Sequence, residues 1–397
     1  MKYAIIIGDG MGDYPIPELG GRTPLGAADK PNMDYLARHG LIGTVSTLPP
    51  GLPKGSDVAH FSIFGYDPRL YYPGGRGPLE AAGMGLSFSE DEVVFRCNLV
   101  AVKDGLMHDY SGGHISTQEA TELIRVIDNE LGSSKIRFVP GVSYRNLMIA
   151  RNLGRAAACT APHDIMESSI DKHLPSGEGS RELIDLMMRS RPILDASPVN
   201  ARRRSDGKEE ANMIWLWGQG TKAAMSSFGE RFGLSGAIIS AVDLIRGIGF
   251  LLGFKIIQVP GITGYLDTNY SGKAEYALQS LEEHDLVAVH VEAPDEAGHN
   301  GDFRSKVRAI EDFDRLVVGA IRRGLEKLKD YKIMVLTDHY TPVSVRTHTG
   351  EAAPYLIYSS GATGESGEAF DESSTKRGGL HFPEGHKLIE FFLRHGK

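Results

Sequence analysis

Cysteine is scarce. Only Cys97 and Cys159 occur in 397 residues, which excludes a disulfide framework and suits a reducing, intracellular setting. Neither cysteine stands in a metal-ligand spacing. Basic charge is not in excess either: 43 Lys and Arg face 51 Asp and Glu, for a formal net charge of −8. No basic face is therefore available for nucleic acid, and a phosphate-bearing partner must be recognised locally. Long hydrophobic runs are missing as well. Met1-Lys-Tyr-Ala-Ile-Ile-Ile7 stops at Gly8-Asp9, far short of the apolar core of a signal peptide. The most apolar segment, residues 236–254, is interrupted by Asp243 and Arg246, so it does not read as a membrane span. These absences point to a cytoplasmic protein with no nucleic-acid or membrane partner. What is present is ordinary for a globular chain, 41% hydrophobic and 24% charged residues. The length suffices for two domains, or for one large α/β domain with an insertion.

In chain order, residues 3–8 form an apolar run that ends in Gly8-Asp9-Gly10-Met11-Gly12-Asp13, a first buried strand with a Gly-rich turn. A dinucleotide fingerprint fails here, because Asp13 holds the third glycine position and Pro15 and Pro17 block the helix that must follow. Asp9 is left either to ligate a metal or to cap the turn. Residues 29–40 have the cap, proline and apolar spacing of a helix, and a strand is expected near 41–48. The loop Lys54-Gly55-Ser56-Asp57-Val-Ala-His60 lacks the order of a phosphate-binding P-loop. It places the Ser56 hydroxyl at a helix start, where it serves as an N-cap or as a nucleophile whose alkoxide is favoured by the helix terminus.

The Gly- and Pro-rich residues 71–87 mark the approach to a domain boundary. Residues 88–200 mix short strands, 93–102 and 145–150, with helices, 117–131 and 180–189, and read as a smaller α+β insertion. Within it His114, Arg145 and His163 stand in loops that either turn the chain or face a ligand. Residues 200–210 are a charge run, expected as a solvated loop whose Arg202, Arg203 and Arg204 could grip phosphate. The strand-then-glycine style of residues 212–220 suggests that the first domain resumes there. The expected division is thus a discontinuous core, 1–87 and 201–397, around an insertion at 88–200. Strands and helices then alternate, as a doubly wound sheet requires. Lys273 falls at a helix start, residues 359–379 read as a mobile excursion, and a helix is expected over 385–395.

Three strand ends share one chemistry. Lys332-Ile-Met-Val-Leu336 runs into Thr337-Asp338-His339, followed by Thr347-His348-Thr349. Leu286-Val-Ala-Val-His-Val291 leads to Pro294-Asp295-Glu-Ala-Gly-His299, where the i,i+4 spacing puts Asp295 and His299 on one helix face. Asp9 ends the first strand. Parallel strand ends are where open α/β sheets bind ligands, and mixed carboxylate and imidazole suits Zn, Mn, Fe or Co better than Mg alone. Together with Ser56 and His348 this is about the complement that two adjacent divalent ions need while each keeps a position for substrate, as in the two-metal clamp of phosphoryl transfer.

The ordered set Ile7-Gly-Asp9-Gly-Met-Gly-Asp13, Lys54-Gly-Ser56-Asp-Val-Ala-His60, Pro294-Asp295-Glu-Ala-Gly-His299-Asn-Gly301, Thr337-Asp338-His339 and Arg346-Thr-His348-Thr resembles the alkaline phosphatase superfamily. More closely it resembles the cofactor-independent phosphoglycerate mutases of the archaeal type, and the likeness is spread over nearly the whole chain. The resemblance implies an alkaline-phosphatase-like doubly wound α/β core with the inserted α+β domain acting as a lid. It implies one ion on Asp295, His299 and His348 and another on Asp9, Asp338, His339 and the Ser56 oxygen, most often Mn²⁺, with Mg²⁺, Co²⁺ and Zn²⁺ as alternatives and no 2,3-bisphosphoglycerate. Ser56 would take the phosphoryl group from 3-phosphoglycerate and return it to the 2-hydroxyl, and His114, Lys273 and Arg145 would meet the substrate. Two rivals stay open. A phosphopentomutase, phosphatase or phosphodiesterase would keep the chemistry and change the substrate, whereas a non-catalytic metal- or nucleotide-binding protein would use Ser56 only as a helix cap.

Overall fold

The computed structural model describes residues 1–222, 225–361 and 368–394. In chain order its strands are β1 (Lys2–Gly8), β2 (Leu41–Val45), β3 (Glu92–Lys103), β4 (Leu106–Asp109), β5 (Ile136–Val142), β6 (Arg145–Arg151), β7 (Met213–Thr221), β8 (Gly236–Ile239), β9 (Lys255–Ile256), β10 (Leu286–Val291), β11 (Tyr331–Leu336), β12 (Ala353–Ser359) and β13 (Leu380–Phe382). The chain divides into two compact units, one of Met1–Tyr72 with Met225–Lys397, the other of Pro73–Ala224.

The larger unit is built on one sheet of order β13-β2-β12-β11-β1-β10-β8-β9. Its centre is parallel: β1 pairs with β10 and β11 in register, Ile7 opposite His290 and Leu336. Such strands are covered on both faces and read as continuous apolar runs, as Ala4–Ile7 and Ile333–Leu336 do. Ala4, Ile6, Val287, Val289, Ile333 and Val335 share one core with Leu36, Ala277, Ile310 and Ile321 of the helices that cover that face. After Asp302 the chain follows one continuous path of helix, Phe303–Asp312, a π segment, Phe313–Val318, and helix again, Gly319–Leu325. The matched register brings the carboxyl ends of β1, β10 and β11 to one edge, and that sets the position of the site. The α/β doubly wound class expected from the alternation is what the sheet shows. No described helix is long and apolar enough to cross a membrane.

The smaller unit is an antiparallel sheet around β3, which pairs with β6, β7 and β4. The helices Thr117–Leu131 and Ser180–Asp195 pack on it through Leu123, Ile127, Leu183 and Met187 against Phe95, Cys97 and Leu99. Thr117–Leu131 starts where Ser116 and Glu119 form a capping box. Three expectations need correction. Residues 73–87 belong to this unit, because Arg76–Gly83 is a helix whose Ala81 packs with Val94, Leu147 and Ile149. Residues 212–220 do not resume the first domain, because β7 pairs with β3 from Val93 to Val100. The charge run is a loop only in its second half: Pro198–Ser205 is a helix, capped by the Ser197 side chain, in which Arg203 is buried, and residues 206–210 turn out of it. The boundaries therefore fall near 73 and 224 instead of 88 and 200. Of the expected excursion, Glu372–Arg377 is a helix and residues 362–367 lie outside the described residues. The last helix is Leu388–Arg394, and its expected end at His395 lies outside them too.

Candidate active site

The structure brings together all seven residues expected as ligands. Asp9 follows β1, Asp338 and His339 follow β11, and Ser56 opens the helix Ser56–Ile63. Gly55 is the N-cap of that helix and makes no side-chain cap, so Ser56 stands at its first helical position with its hydroxyl directed elsewhere. Ser56 Oγ lies 3.0 Å from His339 Nε2 and 3.4 Å from Asp9 Oδ2. His339 Nε2 is 3.3 Å from Asp338 Oδ2 and 3.5 Å from Asp9 Oδ1. Asp9, Asp338 and His339 form a group whose ligand atoms all lie within 4.8 Å of one another.

The second group is Asp295, His299 and His348. The helix Ala293–His299 has Pro294 in its first turn, and its i,i+4 pair meets as the spacing predicts, His299 Nε2 lying 3.2 Å from Asp295 Oδ2. Both imidazoles are oriented from behind. His299 Nδ1 lies 3.0 Å from the Arg346 carbonyl and His348 Nδ1 lies 2.9 Å from the Lys54 carbonyl, distances at which each Nδ1–H donates. The two Nε2 atoms converge, 3.0 Å apart, beside the Asp295 carboxylate, and once their protons are given up, as metal ligation requires, both lone pairs would face one point. It is the second-shell arrangement that fixes metal-binding histidines. The two groups adjoin, since the His339 and His348 rings are 4.1 Å apart.

Electrostatics point the same way. Burial, and next the Asp338 carboxylate, holds Asp9 well above the usual carboxylate range. Burial pushes Asp338 up, but His339 and His60 overcome this and leave it low. One Asp338 oxygen, Oδ2, is buried without a hydrogen-bond partner. A hydrogen bond to Asp295 raises His299 to about 9, and burial takes His339 down to about 4. Crowded buried carboxylates with an orphaned oxygen and inward-facing imidazole nitrogens form a donor set that suits divalent transition cations.

Several supporting residues carry no assignment from the sequence. His290, on β10, places Nε2 2.9 Å from Asp9 Oδ2 and Nδ1 3.1 Å from Ser240 Oγ. An ionised Asp9 can only accept, so a neutral His290 donates its Nε2–H to Asp9 and its Nδ1 accepts from the Ser240 hydroxyl, whose oxygen also accepts from Val242 N–H. Burial holds His290 well below its usual pKa, consistent with a neutral ring. Its signal was visible as the one polar side chain inside Leu286–Val291. Thr341 donates to Asp295 and lies 3.3 Å from His339 Nδ1. Gly10 has φ +59°, and a Cβ there would stand 2.5 Å from Asp295 Oδ1 and 2.6 Å from Thr341 Oγ1, so only glycine lets these strand ends close.

The expected substrate residues are placed as follows. Lys273, on the helix Tyr270–Glu283, is fully buried and donates to the His290 carbonyl at 2.7 Å, with burial lowering it to about 8. Its head thus abuts the strand that carries His290. In the smaller unit, Arg145 opens β6 beside Tyr144, and its charge, with that of Arg76, adds to the burial that lowers Arg96. Arg96 lies over the Trp217 ring and pairs with Glu80 at 2.9 Å. His163 packs edge-on against Trp217. The His114 side chain is exposed on a tight turn. The arginines of the charge run are engaged elsewhere: Arg202 with Glu122, Arg203 with Glu119 and Arg204 with Glu210.

Comparison with known proteins adds the following. The PhosphMutase family model, described as 2,3-bisphosphoglycerate-independent phosphoglycerate mutase, matches residues 37–200. A 2,3-bisphosphoglycerate-independent phosphoglycerate mutase of Methanosarcina barkeri is 50% identical over 99% of this chain and 100% of its own length. Among solved structures, a Pyrococcus horikoshii protein has a TM-score of 0.83 at 31% identity, covering 99% of this chain and 96% of that one. A cofactor-independent phosphoglycerate mutase from Thermoplasma acidophilum has a TM-score of 0.68 at 28% identity, covering 99% of both chains.

Proposed function

The chain belongs to the 2,3-bisphosphoglycerate-independent phosphoglycerate mutases, and from that premise we propose that it interconverts 3-phosphoglycerate and 2-phosphoglycerate in the cytoplasm, through a phosphoserine at Ser56. The observation that carries this reading is the convergence of Ser56 Oγ on His339 and Asp9, with the Asp295–His299–His348 group alongside. One divalent ion would sit on Asp9, Asp338, His339 and Ser56 Oγ, a second on Asp295, His299 and His348, with Mn²⁺ the preferred metal. When bound, these ions supply Lewis-acid stabilisation of the phosphoryl oxygens and of the attacking and leaving oxygens.

The protein's own part is positioning. Ser56 Oγ attacks the phosphorus of 3-phosphoglycerate, an Oγ–P bond forms, and the bond from phosphorus to the substrate's 3-oxygen breaks. The serine proton is released toward the groups around Oγ, and the leaving alkoxide takes one up, giving glycerate. Attack by the 2-hydroxyl on phosphoserine 56 then reverses these changes, so no co-reactant is consumed. The backbone N–H groups at the start of the helix Ser56–Ile63 favour the negative phosphoryl group. Substrate binding is assigned to His114, Arg145 and Lys273, and water must be kept from the phosphoserine for transfer to outrun hydrolysis.

The test is to supply 3-phosphoglycerate and Mn²⁺ without 2,3-bisphosphoglycerate and to follow 2-phosphoglycerate and free phosphate together. The expected result is 2-phosphoglycerate without phosphate, and loss of activity in Ser56→Ala to background. Release of phosphate alone would make the protein a hydrolase, and an active Ser56→Ala would remove the phosphoserine step.

A further inference from the structure

The turn that presents His114 is strained. Gly112, Gly113 and His114 all have left-handed backbones, with φ of +56°, +66° and +49°. Glycine adopts this region without penalty, but histidine does so at a cost. The His114 side chain is exposed, so burial of its ring does not repay that cost. Strain of this kind persists only where the surroundings over-determine it, and it collects at functional positions.

The surroundings here are unusually complete. Asp109 accepts from the Ser111 N–H and hydroxyl, both at 2.6 Å, and Ser111 Oγ in turn accepts from His114 N–H at 3.0 Å. Ser143 Oγ donates to the Ile115 carbonyl at 2.6 Å. The largest share falls to Arg203, which is 2% exposed. Its Nη2 donates to the Gly112 carbonyl at 2.9 Å and the Gly113 carbonyl at 3.1 Å, and its Nε to the Glu209 carbonyl at 2.7 Å. Its Nη1 donates to Glu119 at 2.9 Å. Glu119 is also the capping-box residue of the helix that starts three positions after His114. The guanidinium thus joins the turn before His114 to the helix after it. Lysine has one nitrogen and could not serve four acceptors in a fixed plane.

We propose that Arg203, anchored by Glu119, is a positioning residue that holds Gly112, Gly113 and His114 in their strained form so that the imidazole is presented to the substrate. The proposal rests on the reading above that His114 serves the mutase reaction. It gives the buried arginine of the charge run a task other than gripping phosphate.

The test uses the full chain with Mn²⁺ and three readouts: circular dichroism with thermal unfolding, hydrogen exchange of residues 110–116 by mass spectrometry, and steady-state kinetics on 3-phosphoglycerate. Arg203→Gln is expected to speed exchange in that segment and to lower kcat/KM by about 100-fold, the order expected of a misplaced catalytic-site group. Arg203→Gln combined with His114→Ala should be no less active than His114→Ala alone, and Arg203→Lys should recover only part of the loss. His114→Gly should hold or raise the Tm while losing activity as His114→Ala does, because it relieves strain and removes the imidazole. If Arg203→Gln does not fold, Glu119→Gln, which keeps the capping box but not the ion pair, is expected to show the same faster exchange. Unchanged exchange in folded Arg203→Gln or Glu119→Gln, or additive losses in the double variant, would overturn the proposal. A fully active His114→Ala would overturn the reading on which it rests.

Discussion

At the scale of single residues, several ligand-type side chains are held from behind, His299 and His348 by backbone carbonyls and Asp9 and Asp295 by the side chains of His290 and Thr341. His290 is the clearest instance: its Nδ1 accepts from Ser240, and its Nε2–H meets Asp9 Oδ2 at 2.9 Å. Outer-shell partners of this kind change metal affinity by about 10–100-fold when removed. We therefore expect His290→Gln to fold but to bind Mn²⁺ more weakly by that factor, measured by calorimetric titration of metal-free protein. Unchanged affinity would reduce His290 to core packing. A lone polar residue in a buried strand was the only cue for it, and local pattern does not say which neighbour it faces. Asp338, His339 and His348 stood out because acid and imidazole recur at the ends of three strands; one such pair alone also serves as ordinary turn and cap residues.

At the scale of elements, the loops after β1 and β11 are held by a buried lysine. Lys306, on the helix Phe303–Asp312, donates to Asp13 Oδ2 at 2.7 Å, the Thr341 carbonyl at 2.8 Å and the Gly12 carbonyl at 3.1 Å. Asp13 also accepts from Val343 N–H at 3.1 Å, and its own N–H donates to Glu372. Burial lowers Lys306, opposed by Asp13. Removing one partner of such a pair strands a buried charge, at a cost of about 3–5 kcal/mol, whereas removing both is often close to neutral. Lys306→Met should lose about that much stability in urea unfolding, and Lys306→Met with Asp13→Asn should regain most of it. Equal losses in the two variants would mean that the pair is not the stabilising unit. The pair joins residues 293 positions apart in sequence. Asp13 entered the sequence reading as the residue that breaks a glycine fingerprint and closes the first motif, with no partner assigned to it.

At the scale of the whole molecule, all seven ligand-type residues belong to the larger unit and none to the smaller. A cation that binds only the folded larger unit stabilises that unit alone, by about 2.7 kcal/mol at 100 times the dissociation constant. Scanning calorimetry with and without Mn²⁺ should therefore show one transition moving up with metal and a second that does not move. A uniform shift of all transitions would count against the confinement of the metal sites to one unit.

The alternation of strands and helices, the helix over 117–131, and the acid and imidazole residues at three strand ends were determined by sequence alone. Each of these depends on residues close together along the chain, through period, caps and turn chemistry. Which sheet receives Met213–Thr221 was not, because the alternation of a strand is the same whichever neighbour it pairs with, and only its register with Val93–Val100 assigned it. The same holds for Pro198–Ser205, where three arginines look solvated until Glu119 and the glycine carbonyls are brought to Arg203. Tertiary structure decided the pairings between distant residues, since a hydrogen bond across many positions leaves no period in the sequence that encodes it.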